Sequence, residues 1–196
     1  MGFTFYFSEK PYFSHLPVAQ DGVGRYAEHL KWSPSGQLIA FIAAVDRGKA
    51  LWLVDRDGSN PREVLNDVSY FDWYDNQHIL FVSQDKDGRA QVQTVELTSR
   101  AVTLLFQSPA IELDVSRDAS KLLYTSAGSH FGMNLWVQPL RAGPNGTPIR
   151  NGDPVQITAG GGDWHVHKGA WSPDGKTIVY TRDSDQGDIY TTESYR

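Results

Sequence analysis

Apolar and polar positions alternate along most of this chain, in patches of four to eight residues rather than in long stripes. Leu51-Trp52-Leu53-Val54, Val92-Gln93-Thr94-Val95 and Leu135-Trp136-Val137 are such patches, and Leu38 to Val45 is a continuous apolar run. Near the start, Phe3, Phe5 and Phe7 alternate with Thr4, Tyr6 and Ser8. Period-two patches of this length predict strands, half-buried where they alternate and fully buried where they do not. The best helical stretch, Gly24 to Lys31, is too short to compete.

The patches recur at a fixed interval. Lys31-Trp32-Ser33-Pro34-Ser35-Gly36 followed by Leu38-Ile39-Ala40-Phe41 matches Ala170-Trp171-Ser172-Pro173-Asp174-Gly175 followed by Thr177-Ile178-Val179-Tyr180. Weaker copies begin at Asp72-Trp73 and Asp114-Val115. The anchors Trp32, Trp73, Val115 and Trp171 are 41, 42 and 56 residues apart. The Gly/Pro-rich stretch from Arg141 to Pro154 accounts for the long interval and reads as an enlarged hairpin loop. A second series, Trp52, Gln93, Trp136 and Tyr190, follows the first by 20, 20, 21 and 19 residues. Each unit therefore reads as a four-stranded meander. Ser-Pro-Asp-Gly suits its first turn, since Pro presets φ, Asp bonds nearby backbone and Gly accepts positive φ. Periods of about 40 to 45 with four strands per unit mark β-propeller blades.

The Trp-Ser-Pro-Asp-Gly-Lys-x-Ile-x-Tyr-Thr run at 171 to 181, followed by Asp188-Ile189-Tyr190, resembles the blade of TolB-like propellers, also found in prolyl-oligopeptidase-type enzymes. The resemblance covers residues 29 to 193. The expected fold is an all-β propeller of four recognisable four-stranded blades, with a complete ring, an incomplete ring and part of a larger propeller all left open. Residues 1–28 form an N-terminal strand and lead-in, and the blades span 29–67, 68–108, 109–164 and 165–196. The anchor aromatics and Ile39/Phe41, Ile79/Phe81, Leu123 and Ile178/Tyr180 are expected between blades. The fourth blade lacks length for an outer strand, so Phe3 to Ser8 is expected to pair with Asp188 to Thr192, within one chain or between two.

Composition narrows the function classes. Lys and Arg number 18 against 23 Asp and Glu, a net charge of −5. A mildly acidic chain without a basic run lacks the electrostatic footprint of a nucleic-acid binder. The absence of cysteine excludes disulfides, thiolate metal sites and a cysteine nucleophile. No apolar run approaches the ~20 residues of a membrane span, and no signal peptide is visible. Without a Gly-x-Ser-x-Gly motif, the hydrolase that gives peptidase propellers their activity is missing from these residues. Asp55/Asp57 and Asp85/Asp87 lack the ligand ladder of a calcium loop and read as turn residues.

Asp163-Trp164-His165-Val166-His167 is the cluster with chemical content, because side chains at i and i+2 of an extended segment share a side. His29, three residues before Trp32, lies in comparable register and is a third candidate ligand. The cluster resembles oligogalacturonate lyases, in which a His-x-His ahead of a blade's Ser-Pro-Asp turn helps hold a divalent metal. Here the pair stands one residue further from the aromatic, and that family's glutamine ligand and other histidine have no assigned counterpart. The resemblance implies a divalent metal at His165 and His167, with Lys168 or Arg182 as a basic helper; imidazole suits Mn or Zn, and by register His29 is the third candidate ligand. The alternative is a solvated or hydrogen-bonded pair. Lys31, Asp72 and Asp114 share one slot before successive anchors and, with Trp164, form a candidate binding rim, or else a purely structural set of ion pairs.

The leading expectation is a non-catalytic TolB-like binding module for a protein or cell-wall-associated partner. The rival is a metal-dependent lyase-like propeller acting on an acidic oligosaccharide. A homo-oligomer is allowed, and neither nucleic acid nor a membrane span is expected. The resemblance implies the periplasm or cell envelope; a native start at Met1 implies the cytoplasm.

Overall fold

A computed structural model of the chain describes residues 27–45, 48–128, 132–159, 165–183 and 188–193, the last by backbone alone. Phe3 to Ser8 and Trp164 lie outside the described residues. No described helix is long and apolar enough to cross a membrane. The described strands form four antiparallel sheets, corresponding to the four repeats.

The chain divides into two compact units, Met1–Val68 and Ser69–Arg196. The first contains β1 (Ala27–Trp32), β2 (Leu38–Val45), β3 (Gly48–Asp55) and β4 (Arg62–Asn66), paired in that order. Its core is Ile39, Phe41, Ala43 and Val54 with Trp52 against them. β2 is buried over most of its length, as its unbroken apolar run predicts.

The second unit begins with β5 (Tyr70–Trp73), β6 (His78–Gln84), β7 (Ala90–Glu96) and β8 (Val102–Gln107). The next sheet holds β9 (Ala110–Val115), β10 (Lys121–Ala127), β11 (Met133–Ala142), β12 (Pro148–Arg150) and β13 (Val155–Gln156). The stretch expected as a loop is partly ordered strand. β11 runs on to Ala142, turns through Pro144–Gly146 and returns as β12 before β13 pairs further down β11. The last sheet is β14 (His165–Trp171), β15 (Thr177–Asp183) and β16 (Asp188–Glu193).

The pairing confirms the repeat register. Trp52 faces Phe41, Gln93 faces Phe81, Trp136 faces Tyr124 and Tyr190 faces Tyr180 across the second and third strands of each sheet. The first anchors pair with Ile39, Ile79, Leu122 and Ile178. In the third sheet the residue equivalent to Ile39 is Leu122, as the repeat alignment predicts, and its neighbour Leu123 is the one expected between blades. Both are buried, on opposite faces. Leu122 and Tyr124 pack with Leu80, Val82 and Val92 of the preceding sheet, while Leu123 packs with Val166 and Ile178 of the following one.

The first turn is built alike in three sheets. Ser33, Ser116 and Ser172 each accept at Oγ the N–H of the residue opening the next strand, and each carbonyl accepts the N–H three residues on. That last residue has positive φ: Gly36 at 67°, Ala119 at 57° and Gly175 at 68°.

Candidate functional site

The site is built from β14, β15 and β9. Within β14, Lys168 and Gly169 stand opposite the single residue Tyr180, a β-bulge in which Lys168 takes φ 50°. Beyond it His165 pairs with Asp183, Val166 with Arg182 and His167 with Thr181. Alternation then places His165, His167 and Asp183 on one face, and Val166, fully buried in the core, and Arg182 on the other.

The two imidazoles meet edge to face with centroids 4.4 Å apart. His165 Nε2 lies 3.8 Å from an oxygen of Asp183. The three side chains each bring a ligand atom within 4.8 Å of the others, and all are half-buried. Burial pushes the His167 pKa below the usual imidazole value, and His165 adds to the shift; the carboxylates of Glu112 and Asp183 pull the other way. The net result favours a neutral imidazole, the form that ligates a metal.

Three contacts fix β14 against β9 to β11. Asp114 Oδ2 accepts the N–H of Trp171 at 2.7 Å, and Glu112 Oε2 accepts that of Lys168 at 2.6 Å. Gly169 sits where a Cβ would come within 2.8 Å of Leu123 and 2.9 Å of Leu135. The first contact is repeated one blade earlier, where Asp72 bonds its neighbour Trp73 N–H through Oδ1 and Val115 N–H of β9 through Oδ2 at 2.7 Å. Strand pairing confirms that Lys31, Asp72, Asp114 and Ala170 share one slot. In that slot the two aspartates join consecutive blades.

His29 occupies the bulge of β1 with φ 55°, so its counterpart is Lys168 rather than either histidine of the pair. The place of His167 is taken in β1 by Glu28, which pairs with Lys49. Asp55, Asp57 and Asp85 bond side chains or backbone of their own turns. Sequence reasoning missed Asp183 and Glu112. Hairpin counting back from the Ser172 turn sets His167 against Arg182; the bulge instead sets His167 against Thr181 and His165 against Asp183, which brings the carboxylate to the histidine face.

The neighbours in structure share this architecture. The chain superposes on TolB from Acinetobacter baumannii with TM-score 0.64 at 17% identity, covering 86% of this chain and 41% of that one. A TolB-type structure from Agrobacterium tumefaciens gives 0.68 at 16%, covering 87% and 62%. The fold is a TolB-like β-propeller. An oligogalacturonate lyase in complex with manganese matches at 0.57 and 14%, covering 87% of this chain and 51% of that protein. The chain thus spans less than two thirds of each of these structures. No family model matches its sequence, and no curated protein is significantly similar.

Proposed function

We propose that this chain is a binding module that presents a fixed propeller face to a protein or cell-wall-associated partner in the cell envelope or periplasm, without chemistry of its own. The observation that carries the reading is the pair of aspartate bridges, Asp72 to Val115 and Asp114 to Trp171, which hold consecutive blades in one arrangement. A rigid frame lowers the ordering cost of binding. The likeness to TolB structures supports the propeller frame on which the reading rests. The test is biosensor binding to purified envelope proteins and to isolated cell-wall sacculi, with and without EDTA. Saturable, EDTA-insensitive binding to one of them supports the reading. Binding confined to uronate oligomers, and only with Mn or Zn present, overturns it. Sedimentation of the same samples reads whether the module acts as a monomer or a homo-oligomer.

A second reading is favoured by the His165, His167 and Asp183 cluster. Two imidazoles and a carboxylate converging within 4.8 Å fit a divalent ion such as Zn or Mn, with coordination positions left for a ligand. When bound, such an ion supplies polarisation of a uronate carboxylate, which acidifies the adjacent C–H. Around it, His165 and His167 offer ring nitrogens, Asp183 supplies a carboxylate from the opposite strand, and Lys168 follows the pair with an exposed side chain as the basic helper. Arg182 lies on the other face and does not share that role. Metal analysis of purified protein and thermal shifts with Mn and Zn test the site. His29→Ala reports whether the first-blade histidine joins it, and Lys31→Ala with Trp164→Ala tests the rim.

A further inference from the structure

We infer that Glu112 is a positioning residue for the cation site, acting from the neighbouring blade to hold the bulge that decides which side chain joins His165 and His167. The inference rests on the cation-binding reading above. A bulge takes backbone groups out of the ladder, and each needs another partner. Glu112 Oε2 accepts the Lys168 N–H and also the Oγ1 hydroxyl of Thr125, at 2.6 and 2.8 Å. Thr125 stands directly opposite Glu112 on β10, so the carboxylate is pinned to its own blade while it bonds the next.

Lys168, immediately after His167, holds a left-handed φ that a non-glycine residue rarely adopts without support. A charge-assisted bond to its N–H is support of that kind. The register across the bulge shows what is at stake. Before it Ala170 pairs with Val179, and beyond it His167 pairs with Thr181. If the strand ran on without the extra residue, His167 would face Arg182 and Asp183 would leave the histidine face. A cationic guanidinium there would repel a metal ion; the observed carboxylate attracts it. Glu112 thereby selects the donor set without belonging to it.

The test measures Mn(II) affinity of the full chain by calorimetry, with the EPR spectrum of bound Mn(II) as a second readout. Asp183→Asn should abolish or strongly weaken uptake. Glu112→Ala should weaken it about tenfold or more, the scale seen when the partner that orients a metal ligand is lost. Glu112→Gln keeps an acceptor oxygen and should stay within about threefold of the parent, with the same EPR spectrum. If Glu112→Ala binds like the parent while Asp183→Asn does not, the positioning role is wrong and the cation reading stands. A parent chain taking up neither Mn nor Zn overturns both. Should Glu112→Ala fail to fold, Thr125→Val, which removes only the hydroxyl contact, replaces it: weakened affinity supports the role, and unchanged affinity overturns it.

Discussion

His167 makes the site sensitive to pH in a definite direction. Burial lowers its pKa below the usual 6.5, so on acidification the unfolded chain takes up the proton first. Its contribution to stability is complete above that value and is lost as pH falls through it toward the folded pKa. The melting temperature of metal-free protein should therefore drop between about pH 7 and pH 5, and His167→Gln should remove part of that drop. A pH profile of the two proteins, recorded by circular dichroism, decides it; parallel profiles would refute the assignment. Ala119 offers a test of opposite sign. It holds φ 57° where Gly36 and Gly175 hold 67° and 68° in the equivalent turns. Ala119→Gly should relieve the clash of its Cβ with backbone and stabilise by up to about 1 kcal/mol, less the entropy that glycine adds to the unfolded chain. Urea denaturation measures the difference.

At the scale of the element, the aspartate bridges explain a polar residue in a strand that otherwise faces the core. Asp72 is only 7% exposed, and its two oxygens satisfy one N–H on its own strand and one on the next blade. Asp72→Ala should cost roughly 1–3 kcal/mol, because the Val115 N–H is left without its acceptor. Asp72→Asn, which keeps an acceptor oxygen, should cost less. Equal losses in denaturant melts would mean that packing, not the bond, sets the cost. Gly169→Ala probes the other side of β14. The added methyl would press on Leu123 and Leu135, and overpacking of this kind costs roughly 1–3 kcal/mol.

Across the second unit, one sheet is shared by two cores. Leu122 and Tyr124 face the preceding blade, and Leu123 faces the following one. Neither core is closed without β10, so the three sheets should lose their protection together. Leu123→Ala should destabilise by about 2–5 kcal/mol. Hydrogen exchange should then show faster opening in β14 as well as in β10. If exchange accelerates in β10 alone, the blades open independently and the shared-core account fails.

The repeat, the strands and the turns follow from the sequence because they depend on local chemistry. Alternation picks out buried faces, Ser-Pro-Asp-Gly closes a hairpin, and two anchor series at constant offset fix the order of strands within each blade. That His165 and His167 share a side also follows, since an extended segment leaves no other choice. What only the tertiary structure decided is their company. A bulge inserts one residue into β14, and one residue is enough to exchange Arg182 for Asp183 on the histidine face. The bulge is held by Glu112, far away in sequence and brought close by the packing of one blade on the next. The aspartates before the anchors read in the sequence as a polar rim, whereas the neighbouring blade supplies the N–H groups that make them bridges. Each of these features depends on contacts between repeats, which a pattern within one repeat does not encode.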